Sequence, residues 1–233
     1  MFRLVLTAPV LFASAAFAQE TLKERIDARR AEFAAVAPQV MQDAFDRGVR
    51  EVGTSGVMET ALKAGDVAPD FSLPGPDGTA VLLGELLREG PVVLTWYRGG
   101  WCPYCVIQLK AYEEARDAIE SAGGTVVAIA PETPDKVTVT VEKASLNFHV
   151  LSDVGNAVAA DYGLVYTLPE VVQEQFQGRI DITAYNGDES QTLPLAATYV
   201  VGTDGKISWA FVEDDYRVRA EPADILAAVK AAK

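Results

Sequence analysis

The sequence predicts an α/β fold, with a central mixed sheet, helices on both faces and a helical extension at the N-terminus. Three observations carry this. Val92–Tyr97 and Thr125–Ala130 are apolar runs without polar alternation, separated by a helix-like stretch; strands buried on both faces of a parallel sheet read this way. Ala196–Val201 and Lys206–Val212 flank Gly202-Thr203-Asp204-Gly205, a hairpin signal that adds antiparallel strands at the edge. Before the first strand, Thr21 to about Val52 carries apolar residues at helical spacing between many charges.

In chain order, residues 1–18, MFRLVLTAPVLFASAAFA, combine a basic start at Arg3, an apolar stretch from Leu4 to Phe12 and a small-x-small ending at Ala16-Phe17-Ala18. This is the composition of a secretory signal, and it predicts export to a periplasmic or extracellular compartment. Residues 19–56 form the helical extension. Its expected stripe is Leu22, Ile26, Phe33, Val36, Val40 and Ala44, broken near Ala37 by Pro38. The stripe needs a cover, either the main domain or a second copy in a homodimer. Residues 57–233 form the main domain. Lys63–Leu73 is an extended lead-in, and Pro74-Gly75-Pro76-Asp77-Gly78 a turn before a short strand at Thr79–Leu82. Helices are expected from about Val106 to Ser121, from Thr133-Pro134 to about Ala144, over Asn156–Tyr162, and over Pro222–Lys230. Phe148–Leu151 reads as a strand. From about residue 165 to 193 neither period holds, which reads as an irregular or weakly helical insertion.

The chain of 233 residues carries 33 acidic and 20 basic side chains, a net charge of −13. That charge argues against nucleic acid or an anionic membrane as partner. Beyond the leader no stretch is long enough to span a bilayer.

The chemistry is concentrated in Trp101-Cys102-Pro103-Tyr104-Cys105, which holds the chain's only two cysteines. A strand ends, the backbone turns at Arg98-Gly99-Gly100, and a helix begins with both thiols in its first turn. Helix N-termini favour thiolates, the reactive form. A structural zinc site needs about four N or S ligands, and this chain offers two cysteines and His149. A passive disulfide would close a tiny loop and stabilise little. Two unrelated buried thiols remain an alternative, against which the tight spacing speaks. A redox-active dithiol within a β-α-β context is the favoured reading.

Trp-Cys-Pro-Tyr-Cys after an apolar strand resembles the thioredoxin superfamily, and Cys-Pro-Tyr-Cys is similar to the glutaredoxin active site. Gly65-Asp66-Val67-Ala68-Pro69-Asp70-Phe71-Ser72-Leu73, Leu151-Ser152-Asp153 and Asp161-Tyr162-Gly163 resemble segments of the peroxiredoxin (alkyl hydroperoxide reductase/thiol-specific antioxidant) family. Tyr97 through Cys105 resembles that family's Cys-x-x-Cys branch. The likeness runs over roughly residues 60–230. It implies a thioredoxin-like fold and thiol-dependent reduction of hydrogen peroxide or organic hydroperoxides. It also implies a Cys102–Cys105 redox disulfide and regeneration by a thioredoxin-like, glutaredoxin-like or small-thiol reductant, with no metal, flavin or nucleotide cofactor. The family usually carries Pro-x-x-x-Thr-x-x-Cys. With Cys105 in the last position, Arg98 stands at the proline and Cys102 at the threonine. The family's assisting arginine would fall near Asn156 or Ala196, so Arg98 is the candidate to supply that charge. Secreted thioredoxin-like disulfide oxidoreductases carry a cis-proline where this chain has Ala196, which favours the peroxidase over that alternative. A non-catalytic redox sensor is the third reading.

Which sulfur attacks stays open: the helix dipole and expected exposure favour Cys102, and the family register favours Cys105. Trp101 and Tyr104 flank the thiols and are expected to shape the substrate site. His149 is read as structural, Trp209 and Phe211 as core. In Glu213-Asp214-Asp215-Tyr216-Arg217-Val218-Arg219, the Asp-Tyr-x-x-Arg run is similar to one in the Cys-x-x-Cys branch and would bring Arg219 toward the site; a solvated loop is the preferred reading.

Overall fold

The computed structural model describes residues 20–232. The leader reading of residues 1–18 lies outside them. Helix α1 (Leu22–Val36) opens with Thr21 and Glu24 capping each other's backbone, and it stops at Ala37 before Pro38. Helix α2 (Gln39–Gly53) follows, then a single turn α3 (Val57–Thr60). The antiparallel pair β1 (Ser72–Pro74) and β2 (Ala80–Leu82) turns at Pro76-Asp77-Gly78, and α4 (Leu83–Leu86) leads into β3 (Val92–Trp96). Next come α5 (Pro103–Ser121), β4 (Thr125–Ala130), α6 (Pro134–Ala144), β5 (His149–Ser152) and α7 (Ala157–Asp161). Proline at the first position of α5 and α6 fits helix starts, where its missing N–H has no partner to lose. The remaining elements are β6 (Val165–Thr167), α8 (Glu170–Phe176), α9 (Ile182–Asn186), β7 (Thr192–Pro194), β8 (Ala196–Val201), β9 (Ile207–Glu213) and α10 (Pro222–Ala231).

The central sheet runs β5-β4-β3-β8-β9, with β3, β4 and β5 parallel and β8 and β9 antiparallel. This is the expected mixed sheet. Strand β3 lies between β4 and β8 and is buried throughout. Its alternate side chains feed two cores: Val92, Leu94 and Trp96 pack on one face, and Val93 and Tyr97 on the other with both cysteines, Leu109 and Tyr112 of α5. Burial on both faces explains the unbroken apolar run.

Two sequence expectations are corrected. The stretch 165–193 is ordered: β6 and β7 pair from Val165↔Pro194 to Thr167↔Thr192 and enclose two short helices. Elements this short leave too few residues for a period to register. The extension's stripe also differs. Leu22 and Ile26 are buried, but Val36 and Val40 are 82% and 71% exposed. Ala44 is buried as expected, but the break at Ala37–Pro38 reorients the chain, so α2 buries Met41, Gly48 and Val52 beside it in place of Val36 and Val40. The main domain covers both helices. Arg25 grips Glu114 of α5 through two hydrogen bonds of 2.9 and 2.7 Å, and the N–H groups of Leu22 and Lys23 donate to the Glu221 carboxylate. Helix α2 lies on α8, with Gly48 against Val172.

Candidate active site

Strand β3 ends at Trp96, and the chain turns through Arg98-Gly99-Gly100 into α5, where Cys102 is the N-cap residue and Cys105 sits in the first turn. Gly99 has φ of 146°, and a side chain there would strike the Trp101 indole nitrogen, so the turn requires glycine. The carboxylate of Glu132, fully buried beyond the end of β4, pins this turn. It accepts from the Gly100 N–H at 2.9 Å, the Tyr97 hydroxyl at 2.9 Å and the Thr140 hydroxyl at 3.2 Å.

Both thiols are free and buried, Cys102 at 1% and Cys105 at 0% exposure. Cys102, expected to be the more exposed sulfur, is the one of the two that borders a cavity, though neither is open to solvent. The pair is hydrogen-bonded and the two side chains differ sharply in acidity. Burial raises both. For Cys102, the hydrogen bond to Cys105 and that neighbour's charge add to burial and push it well above the usual thiol range. For Cys105, the hydrogen bond from Cys102, the Arg219 and Arg98 guanidiniums and the Arg98 backbone N–H outweigh burial and bring it down to about 5. The Arg98 N–H and Arg219 Nη2 each donate to Cys105 Sγ at 3.4 Å.

Arg98, predicted from sequence, is 3% exposed, and among the described residues it has no salt-bridge partner. Its guanidinium lies over the rings of Tyr216 at 4.2 Å and Trp101 at 4.9 Å, and its Nε has no hydrogen-bond partner. Arg219, read as solvated, is 7% exposed and turned inward. Nε and Nη2 donate to the Tyr216 carbonyl, and Nη1 donates to Gln108 Oε1 at 2.7 Å. Gln108 Nε2 in turn donates to Thr95 Oγ1 and the Tyr112 hydroxyl, and Tyr112 donates to the Ala220 carbonyl. Sequence reasoning did not single out Gln108 or Glu132. Gln108 stands one helical step from Cys105, and Glu132 follows a buried strand beside the active-site strand; those placements are the signals that could have found them.

Trp101 and Tyr104 also stand where expected. With Arg29, Phe33, Phe45, Phe176, Ile180 and Tyr216 they line a cavity of about 130 Å³ that reaches Arg98 and Cys102. Sequence reasoning assigned the extension no part in the site, yet Phe33 and Phe45 come from α1 and α2. His149 is exposed at the start of the edge strand β5. Among the described residues no cluster of three or more His, Cys, Asp and Glu could hold a metal, and no helix is long and apolar enough to cross a membrane.

A buried thiolate beside two guanidiniums, with a second thiol hydrogen-bonded to it, can attack an electrophile and be resolved internally. Relatives carry the same frame. The chain is 32% identical over 156 residues to the peroxiredoxin Bcp of Escherichia coli, covering 67% of this chain and 88% of that protein. The crystal structure of the peroxidoxin BcpB from Mycobacterium tuberculosis matches with a TM-score of 0.58 at 24% identity, covering 74% of this chain and 99% of that one. A peroxiredoxin-like protein from Aquifex aeolicus matches with a TM-score of 0.60 at 16% identity, covering 74% and 89%. Residues 64–210 match the AhpC/TSA family model, and with that span covering most of the sheet and the whole dithiol turn, the chain belongs to the AhpC/TSA family, the peroxiredoxins, which are thiol-dependent peroxidases.

Proposed function

We propose that this chain reduces peroxides with Cys105 as the attacking thiolate, Cys102 as the resolving thiol, and Arg98 and Arg219 as the charges that hold thiolate and peroxide. The observation that carries the reading is the Arg219 guanidinium on Cys105 Sγ, which favours the thiolate over the thiol in a buried site. The thiolate attacks the terminal oxygen of R–O–O–H. The S–O bond forms, the O–O bond breaks, and the alkoxide leaves with the electron pair and takes a proton from solvent to become the alcohol. Developing charge on that oxygen falls beside guanidiniums already in place. Cys105 is then a sulfenic acid, and the Cys102 sulfur attacks it, forming Cys102–Cys105 and releasing water. An external thiol reductant, thioredoxin-like, glutaredoxin-like or a small thiol, returns two electrons through a mixed disulfide.

The test is intact mass after one equivalent of peroxide. Cys102→Ser gains one oxygen and stops, and Cys105→Ser is unreactive. One observation favours the reverse assignment: Cys102, not Cys105, lines the cavity. Oxygen gained by Cys105→Ser, with Cys102→Ser inert, establishes that reading instead. Ala196, where secreted thioredoxin-like disulfide oxidoreductases carry a cis-proline, counts against the disulfide oxidoreductase alternative. Reduction of insulin disulfides without any peroxide consumption would restore it; neither activity would leave the redox sensor.

We also propose export of the chain, supported by Arg3, the Leu4–Phe12 run and Ala16-Phe17-Ala18. Fractionation followed by N-terminal sequencing tests it, with Gln19 expected as the first residue; a retained Met1 in the cytoplasmic fraction refutes it.

A further inference from the structure

The Arg98 guanidinium is held by ring faces, Tyr216 at 4.2 Å and Trp101 at 4.9 Å. A ring face attracts a cation but offers no acceptor in a set direction, so these contacts leave the fork free to turn. Its Nε is buried without a hydrogen-bond partner among the described residues. An unpaired buried donor costs stability, so a bare Nε in a packed site points to a group that receives it. A second, smaller cavity supplies one. Arg98, Tyr166 and Asp214 line a space of about 10 Å³, bordered otherwise mostly by apolar side chains such as Phe45 and Val52 of α2 and Val172 of α8. That is about the room one water molecule requires.

Tyr166 is buried in the core, and the short β6–β7 pair sets it opposite Leu193. Burial works against the Arg98 charge; the groups that favour it are, in order, Tyr166, Cys102, Tyr216 and Cys105, and the balance lies above the ordinary arginine value. Burial likewise raises the Tyr166 hydroxyl, and Arg98 is the first group that lowers it. Each side chain is thus the other's leading charge partner, across a cavity that both line. We propose that Tyr166 is a positioning residue of the peroxide site, its hydroxyl receiving the Arg98 Nε–H through one water in the small cavity. That contact anchors the guanidinium from behind and leaves its Nη groups for the larger cavity, which Arg98 shares with Cys102. This rests on the peroxidase reading and deepens it. Tyr166 is not among the residues that line the larger cavity, so it acts through Arg98 and not on the reacting atoms. A small displacement of a positioned group is enough to lose a large factor in rate.

The experiment compares the full chain with Tyr166→Phe, Asp214→Asn, Arg98→Met and the double variant Tyr166→Phe/Arg98→Met. Tyr166→Phe removes one oxygen and keeps the ring in the core. Asp214→Asn tests the rival anchor, since that carboxylate lines the same space. One readout is kcat/KM for hydrogen peroxide with dithiothreitol as donor. The other is the arginine Nε–H region of the nitrogen–proton NMR spectrum, where the Arg98 signal is the one missing from Arg98→Met. That proton should exchange slowly with solvent in the full chain and faster in Tyr166→Phe. In Tyr166→Phe kcat/KM should fall about tenfold, as for loss of a hydrogen bond to a charged group. The same change made in Arg98→Met should cost less than about twofold, because sites that act through one another are not additive. A hydroxyl that merely packs costs the same in both backgrounds, so equal losses overturn the proposal. An unchanged rate in Tyr166→Phe overturns it too, as does a larger loss in Asp214→Asn than in Tyr166→Phe. Each of these leaves the peroxidase reading intact. A full chain that consumes no peroxide, with a slow Nε–H signal that Tyr166→Phe abolishes, overturns the peroxidase reading and the positioning role with it, while the contact stands.

Discussion

Replacing Arg219 by methionine keeps an unbranched apolar stem and removes the guanidinium and its charge from Cys105. The guanidinium lies 3.4 Å from Sγ in a fully buried site. At that range, with an effective dielectric of about 20, one charge pair is worth roughly 5 kcal/mol before offsets, or about three and a half in pKa. Arg98 shares the work and burial opposes it, so the loss should fall within the range of about one to three seen for single charge partners. Taking the middle, the Cys105 thiol moves from about 5 to about 7. At about pH 6 the thiolate fraction then drops from roughly nine-tenths to one-tenth, while above about pH 8 both proteins are almost fully ionised. The assay is the second-order rate with peroxide from about pH 4.5 to 9, with thiolate absorbance in the ultraviolet as an independent titration. The acid limb should move up by about two pH steps, with a roughly tenfold loss at about pH 6 that shrinks as pH rises. Loss that persists at high pH measures the guanidinium's action on the leaving alkoxide. The substitution also strips Gln108 Oε1 of its donor, costing about 1–3 kcal/mol of stability. Arg219→Lys, which keeps a charge, should recover most of the acid limb. A loss equal at every pH, with the limb unmoved, refutes the assignment of Arg219 to the thiolate.

Arg98→Met removes the guanidinium held between Trp101 and Tyr216 and should lower kcat/KM for peroxide about 10²-fold, well beyond its effect on the melting temperature; an unchanged rate removes Arg98 from the mechanism. Glu132→Gln tests the carboxylate behind the turn. Burial raises the Glu132 carboxyl above its ordinary value, the three hydrogen bonds only partly offset this, and the Cys105 charge adds to it. A carboxyl raised in the folded state stabilises fully below its unfolded value of about 4.5, and that contribution is lost as pH rises through the folded value. Glu132→Gln should therefore narrow the melting-temperature difference between about pH 4 and pH 8; a difference as large as in the wild type contradicts this. Gly100→Ala would drive a methyl into Thr140 Oγ1, one of the Glu132 donors. Urea unfolding should show about 1–3 kcal/mol of destabilisation, and a neutral result would mean the turn is looser than drawn.

The dithiol turn was legible because its parts are contiguous. Arg98, Trp101, Cys102, Tyr104 and Cys105 span eight residues, and the strand before them announces itself through burial on both faces. The rest of the site is assembled across distance. Glu132 arrives from the end of β4, Phe33 and Phe45 from the extension, and Arg219 from 114 residues beyond Cys105. The missed β6–β7 pair is of the same kind, since Val165 and Pro194 find each other through register and not through local pattern.

Arg219 shows most clearly why local sequence misleads. Its neighbours are charged, and a run of alternating charge reads as a solvated loop. Within that run the two guanidiniums part. Arg217 is taken by Asp215 and by Asp46 of α2, which fixes the loop against the extension. Arg219 has no carboxylate in its hydrogen bonds; the Tyr216 carbonyl, Gln108 and the Cys105 sulfur receive it. A buried cation without an acidic partner is costly unless an anion compensates, and the group within reach that the proposed mechanism makes an anion is Cys105. On the proposed mechanism a positive charge reaches Cys105 from the loop after β9, and the same loop, through Tyr216 and Arg217, ties the dithiol site to the helices that wall its cavity.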